Sequence, residues 1–263
     1  MAHFPKLLQH ASCSTRLLAL PIQNSTLYFS RQPFLNLAMK SHFLLIALAL
    51  SVPVFAQDNP PLSISKIPLR AEATQRFAPR GWKLEKRISG DLNRDKIADA
   101  ALILVENGLN RDANGNPAAR KRALLVVLKE GKGFRRAGFN ASLLLGTRDG
   151  GAFYGGVETP VGVSIKKGVL LIEQEFGSRE VTEITHRFRY NARAKRFHLI
   201  GAELRERDRL TGGGRFVSTN YLTGRQEIEG FLGPDTPGQT QIKRVSRKLR
   251  SLESVKGDER YAG

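Results

Sequence analysis

The protein is a chain of 263 residues in which 42 Lys and Arg outnumber 24 Asp and Glu, for a formal charge of +18 at neutral pH. A lone cysteine, Cys13, excludes an intramolecular disulfide framework and a cysteine-ligated zinc site. The chain contains no HExxH pair, no nucleophile elbow and no phosphate loop ending in Lys-Ser or Lys-Thr, which excludes three common routes to hydrolysis.

Residues 1–56 contain no Asp or Glu. From Met39 the order is Lys40, an apolar run "FLLIALALSV" from Phe43 to Val52, Pro53, and small residues at Val54 and Ala56. That order predicts a secretory signal peptide over 39–56, cleaved after Ala56. The run falls short of the about 20 apolar residues that span a bilayer, so no retained membrane anchor is expected. Residues 1–38 then read as an upstream extension from a misassigned start. An acid-free segment containing Ser and Arg also suits an organelle transit peptide, but the compact apolar core fits secretion better. Loss of Lys6, Arg16, Arg31, Lys40 and Cys13 leaves 38 basic residues against 24 acids, a charge of +14, and no thiol. The expected location is the periplasm or the cell exterior.

The stretch "QDNPPLSISKIPLR" is rich in Pro, Ser and Asn and without periodicity, so 57–76 reads as an extended linker and 77–263 as one domain with a basic carboxyl-terminal segment. "APRGW" supplies turn residues before the first alternating segment. "ALILVE" (101–106) and "ALLVVLK" (123–129) are apolar on both faces and predict central strands. "GFRRAGF" follows "KEGK" as the return arm of a hairpin. "VSIKKGVLLIEQEF" (163–176) reads as two strands around Lys-Lys-Gly. "VTEITHRFRYNARAKRFHLIGAEL" (181–204) gives two more around "NARA", and "RFVSTNYLTGRQEIEGF" (215–231) a further hairpin. These elements predict an all-β domain, an antiparallel meander of roughly ten strands, built as a sandwich, a barrel or a few propeller-like blades.

The sharpest local signal is "SGDLNRDKIADAALILVEN" (89–107). Asp91, Asn93, Asp95 and Asp99 occupy positions 1, 3, 5 and 9 of a loop, with the Ile97 backbone carbonyl at position 7. Calcium takes six to eight hard oxygen ligands, and alternate oxygen-bearing side chains in a tight loop fold them around one point. An EF-hand needs Glu at position 12, where this chain has Leu102 at the start of a strand. The competing reading is an Asx-rich turn whose side chains satisfy their own backbone. "GDLNRDKIADAALIL" resembles the calcium loop and following strand of FG-GAP repeats, which also occur in integrin-type propellers and VCBS-repeat proteins. The likeness covers this loop and strand alone. It implies side-chain ligands at Asp91, Asn93, Asp95 and Asp99, a carbonyl ligand at Ile97, and a bound calcium. Lys96 stands where that family carries glycine and Asn93 is neutral, which implies weak binding.

Other constellations are thinner. Asp112, Asn114 and Asn116 surround Gly115 in "NRDANGNPAAR" and suit an exposed hairpin loop. His186 shares a strand face with Ile184, Phe188 and Tyr190, as a core histidine would, and is expected to meet His198 across the hairpin. Glu173 and Glu175 share a strand face, the one pairing that would serve a cell-envelope glycan hydrolase. "GTRDGGAFYGG" (146–156) reads as a flexible loop or a ligand lip. Arg187 and Arg189 lie on the face opposite His186, beside Arg193, Lys195 and Arg196, and "IKRVSRKLRSLESVK" adds six basic residues. Such a surface suits an anionic envelope polymer or another exported protein, and the chain carries no nucleic-acid recognition signature. The resulting expectation is an exported binding or structural module with a calcium-type loop, with the glycan hydrolase and a basic polyanion-binding surface protein as alternatives.

Overall fold

The computed structural model describes residues 60–108, 111, 115, 117–233 and 236–259. The segments expected as a signal peptide and as an upstream extension lie outside the described residues, as do Asp112, Asn114 and Asn116. Among the described residues there are twelve strands, four short 3-10 turns and no α-helix.

Strands β1 (Arg70–Ala71), β2 (Trp82–Gly90), β3 (Asp99–Glu106), β4 (Arg122–Glu130) and β5 (Gly133–Asn140) form an antiparallel sheet in the order β1-β5-β4-β3-β2. Strands β6 (Val161–Lys166), β7 (Val169–Gly177), β8 (Glu180–Asn191), β9 (Arg196–Asp208), β10 (Gly214–Asn220), β11 (Arg225–Gly233) and β12 (Thr236–Arg244) follow one another across a second sheet. Neither sheet closes on itself, and the two share one core, so the all-β expectation resolves to a sandwich. Sequence periodicity misses β1, which has two residues, and β12, whose described side chains are all exposed and show no alternation.

Strands β3 and β4 are buried on both faces, as their apolar sequences require; Ala100–Val105 and Ala123–Leu128 are each at most 2% exposed. Ala101, Ile103, Leu124, Val126 and Leu128 pack toward the second sheet, against residues such as Ile172, Ile184 and Leu204. Ala100, Leu102, Leu104, Leu125 and Val127 point the other way and meet Leu62, Ile67 and Phe77. The segment expected as a linker is therefore, from residue 60 onward, a strap over the outer face of the first sheet, and the domain begins before Phe77. Its anchors are isolated, Leu62 and Ile67 flanking the 3-10 turn Ile64–Lys66 and Phe77 closing the turn Thr74–Phe77, rather than a repeating face, which is why it carries no period. Arg136 on β5 holds it, donating from its side chain to the Ile64 and Ile67 carbonyls at 2.8 and 2.6 Å.

Turn chemistry sets the hairpins. Lys167 and Gly168 between β6 and β7 both have positive φ (50° and 75°), the geometry of a two-residue turn that matches strand twist. Gly90 ends β2 where the two sheets approach: a Cβ there would lie 2.6 Å from Ile165 Cγ2. The basic carboxyl-terminal segment then returns into the core. Leu252 and Val255 are buried, and the Asn140 amide donates to both their carbonyls at 2.6 and 2.7 Å.

Because Phe77 is fully buried under the first sheet, Phe77→Ala should lower unfolding stability by about 3–5 kcal/mol. Urea denaturation measures this, and an unchanged midpoint would show that the strap is not part of the cooperative fold.

Candidate functional site

The loop between β2 and β3 gathers the oxygen-bearing residues that its sequence singles out. Asp91 accepts from the Arg94 amide at 2.6 Å through one carboxylate oxygen and from the Lys96 amide at 2.9 Å through the other. Asn93 Oδ1 accepts from the Asp95 amide at 3.0 Å, and its Nδ2 donates to Asp95 Oδ2 at 2.8 Å. Asp95 Oδ1 accepts from the Ile97 amide at 2.8 Å. Arg94 and Lys96 take left-handed backbone (φ 70° and 69°), a conformation costing a non-glycine residue about 1–2 kcal/mol. The turn's own hydrogen bonds offset that cost. Ile97 is exposed.

Asp99 differs from the others. It opens β3, has no solvent exposure, and accepts three amides: Leu92 at 2.9 Å and Asn93 at 3.3 Å on Oδ2, and Lys129 at 2.8 Å on Oδ1. Burial pushes its carboxyl upward in pKa, and the three amide donors oppose that shift. The residue thus ties the loop, its own strand and β4 together. Leu92 anchors the same loop in the core, and Arg94 lies against the β6–β7 turn, 3.2 Å from where a Gly168 Cβ would be. Among the described residues no three His, Cys, Asp or Glu side chains form a metal-holding group as they stand. The donor chemistry suits a hard cation: three carboxylates and an amide oxygen, most with a lone pair beyond the hydrogen bond each accepts.

The histidines do not meet. His186 stands opposite Ala202 and His198 opposite Arg189, because the turn length and a bulge at Arg187/Phe188 set the register. His186 is buried in the core and stacks on Phe188, with ring centroids 6.1 Å apart. Burial lowers its pKa from 6.5 to about 4, so it is neutral in the fold. Glu173 and Glu175 do share the outer face of the second sheet, where Glu173 is exposed and Glu175 is paired with Arg209 at 2.7 Å. On the basic surface Arg187 is paired with Glu203 at 2.9 Å, while Arg193, Lys195 and Arg196 are exposed on the β8–β9 turn.

One feature was not anticipated from sequence. A groove of about 790 Å³ lies on the outer face at the β9–β12 end, lined by Arg205, Arg207, Arg209, Phe216, Glu229 and Phe231 among others. The signal for half of it is the alternation in "RERDR" (205–209), which puts three arginines on one side of an extended chain. Phe216 and Phe231 arrive only through register, opposite Arg205 and two strands from Arg207. In comparisons with known proteins, no family model, curated protein or solved structure matches this chain. No helix among the described residues is long and apolar enough to cross a membrane.

His186 gives the fold a pH dependence of definite sign. A histidine whose folded pKa lies below its unfolded value stabilises fully above about 6.5, and that contribution is lost as pH falls toward 4. Between pH 7 and 4 the parent should lose roughly 3 kcal/mol that His186→Leu does not lose, read from urea midpoints of both proteins across the range. Parallel curves would exclude a buried neutral histidine.

Proposed function

We propose that the protein is an exported, non-enzymatic binding or structural module whose 91–99 loop takes calcium as a structural ion. The observation that supports this reading is the loop itself: Asp91, Asn93, Asp95 and Asp99 lie within nine residues, and Asp99 is built into the doubly buried strand pair. An ion held by Asp91, Asn93, Asp95, Asp99 and the Ile97 carbonyl would supply positive charge among three carboxylates and fasten the loop over the sandwich end. The chain's own residues do the positioning: Leu92 and Asp99 fix the two ends of the loop, and the Asp91 clasp on the Arg94 and Lys96 amides sets its curvature. The resemblance to FG-GAP repeats supports the same reading, and the signal-peptide pattern supports export to the periplasm or beyond, where calcium is plentiful. The exposure of Glu173 and the Arg209 pairing of Glu175 weigh against the glycan-hydrolase alternative.

Thermal unfolding of the protein in excess chelator and then in millimolar calcium tests the proposal. A ligand bound only by the native state raises the midpoint by mass action, so calcium should raise it for the parent and not for Asp95→Ala. A parent midpoint indifferent to calcium would reduce the loop to an Asx turn.

A further inference from the structure

We infer that the arginine–phenylalanine groove on the outer face of the second sheet binds a segment of an acidic polysaccharide, uronate carboxylates on the arginines and sugar faces on the phenyl rings. This site is separate from the 91–99 loop and stands without a calcium ion.

Arg205 and Arg207 alternate along β9, about 6.6 Å apart on one face. The Arg205 guanidinium is exposed and lies 5.0 Å from the Phe216 ring centroid and 5.9 Å from that of Phe231. It has no acidic partner among the described residues. Arg207 is held only loosely by Glu183, at 3.4 Å, and although its Nε is sealed from solvent the rest of its guanidinium is not. Arg209 is committed to Glu175 and to the Ser178 carbonyl, and its guanidinium lies 3.5 Å from the Phe153 ring centroid in the glycine-rich stretch. Arg205 therefore keeps its donors for a ligand beside two flat apolar surfaces, and the part-exposed Arg207 guanidinium adds a second, loosely held cation along the same strand face.

The acids in the groove narrow the ligand class. Asp208 is taken up by Arg179 at 2.7 Å and by the Leu210 and Thr211 amides, whereas Glu229, opposite Phe216, has no cationic partner among the described residues. A carboxylate in that position repels a dense row of phosphates but accepts hydrogen bonds from hydroxyl groups. Guanidinium groups favour carboxylates, which they can grip through two parallel bonds. Well-spaced single charges on a hydroxyl-rich, flat-faced polymer meet all three demands. Single-stranded nucleic acid, which also stacks on aromatics in basic grooves, meets only two of them.

Calorimetric titration with oligogalacturonate, in chelator so that the loop plays no part, tests the inference. The protein should bind saturably and more weakly at raised salt. Arg205→Ala and Arg205→Lys, both at an exposed position, and Phe231→Ala should each weaken binding by about tenfold or more. Arg193→Ala, which removes the same charge from the exposed β8–β9 turn, should change it less than about twofold. Absence of binding, or equal weakening by Arg193→Ala, would overturn the groove. Tighter, Arg205-dependent binding of an oligothymidylate would overturn the glycan in favour of nucleic acid.

Discussion

Strands β3 and β4 have no polar face, and the remainder of the fold answers that constraint. Each buried Val, Leu or Ile side chain in the pair contributes about 1.5–3 kcal/mol only while covered, so a layer is needed on both sides. The seven-stranded sheet is one cover, and the 60–78 strap is the other. Two apolar faces also remove the usual cue for register, since a one-residue slip would still present hydrophobic side chains to both layers. Buried charges at the two ends of the pair supply the missing cue. Asp99 begins β3 and takes the Lys129 amide of β4. Arg122 begins β4, is 3% exposed, and is gripped by both carboxylate oxygens of Glu85 at 2.7 and 2.8 Å and by the Thr159 carbonyl at 2.8 Å. A slip would strand either charge in a dry site, and removing one partner of such a charge costs several kcal/mol.

Much of this was legible in the sequence, for local reasons. The continuous apolar runs of β3 and β4, the Lys167-Gly168 turn and the three hairpins of the second sheet are properties of short segments, and the structure places them as read. What sequence could not distinguish was sandwich from barrel, because neighbouring strands of a meander pair identically in both. The strap escaped because Leu62, Ile67 and Phe77 act as separate anchors, and β12 because nothing packs on its described side chains.

The same division holds for the sites. Asp91, Asn93, Asp95 and Asp99 fall within nine residues, so their gathering was legible. That Asp99 would be sealed from water with three amides depends on where Lys129 arrives, which no local pattern states. The groove draws on β9, β10 and β11 together, and the pairing that puts Phe216 beside Arg205 exists only in the folded sheet. A rigid, doubly covered wall leaves the loop at its end and the outer face of the second sheet free to vary in chemistry without loss of the fold.

Amide hydrogen exchange resolved by residue, in the parent and in Asp99→Ala, tests most directly the claim that a buried carboxylate pins this wall. In the parent, the Leu92, Asn93 and Lys129 amides should exchange only through global unfolding, as slowly as Leu125 in the middle of β4. In Asp99→Ala those three should exchange through local opening, while Leu125 falls only to the new global limit. Fast exchange at Lys129 in the parent, or unchanged protection of all three in the variant, would contradict the account.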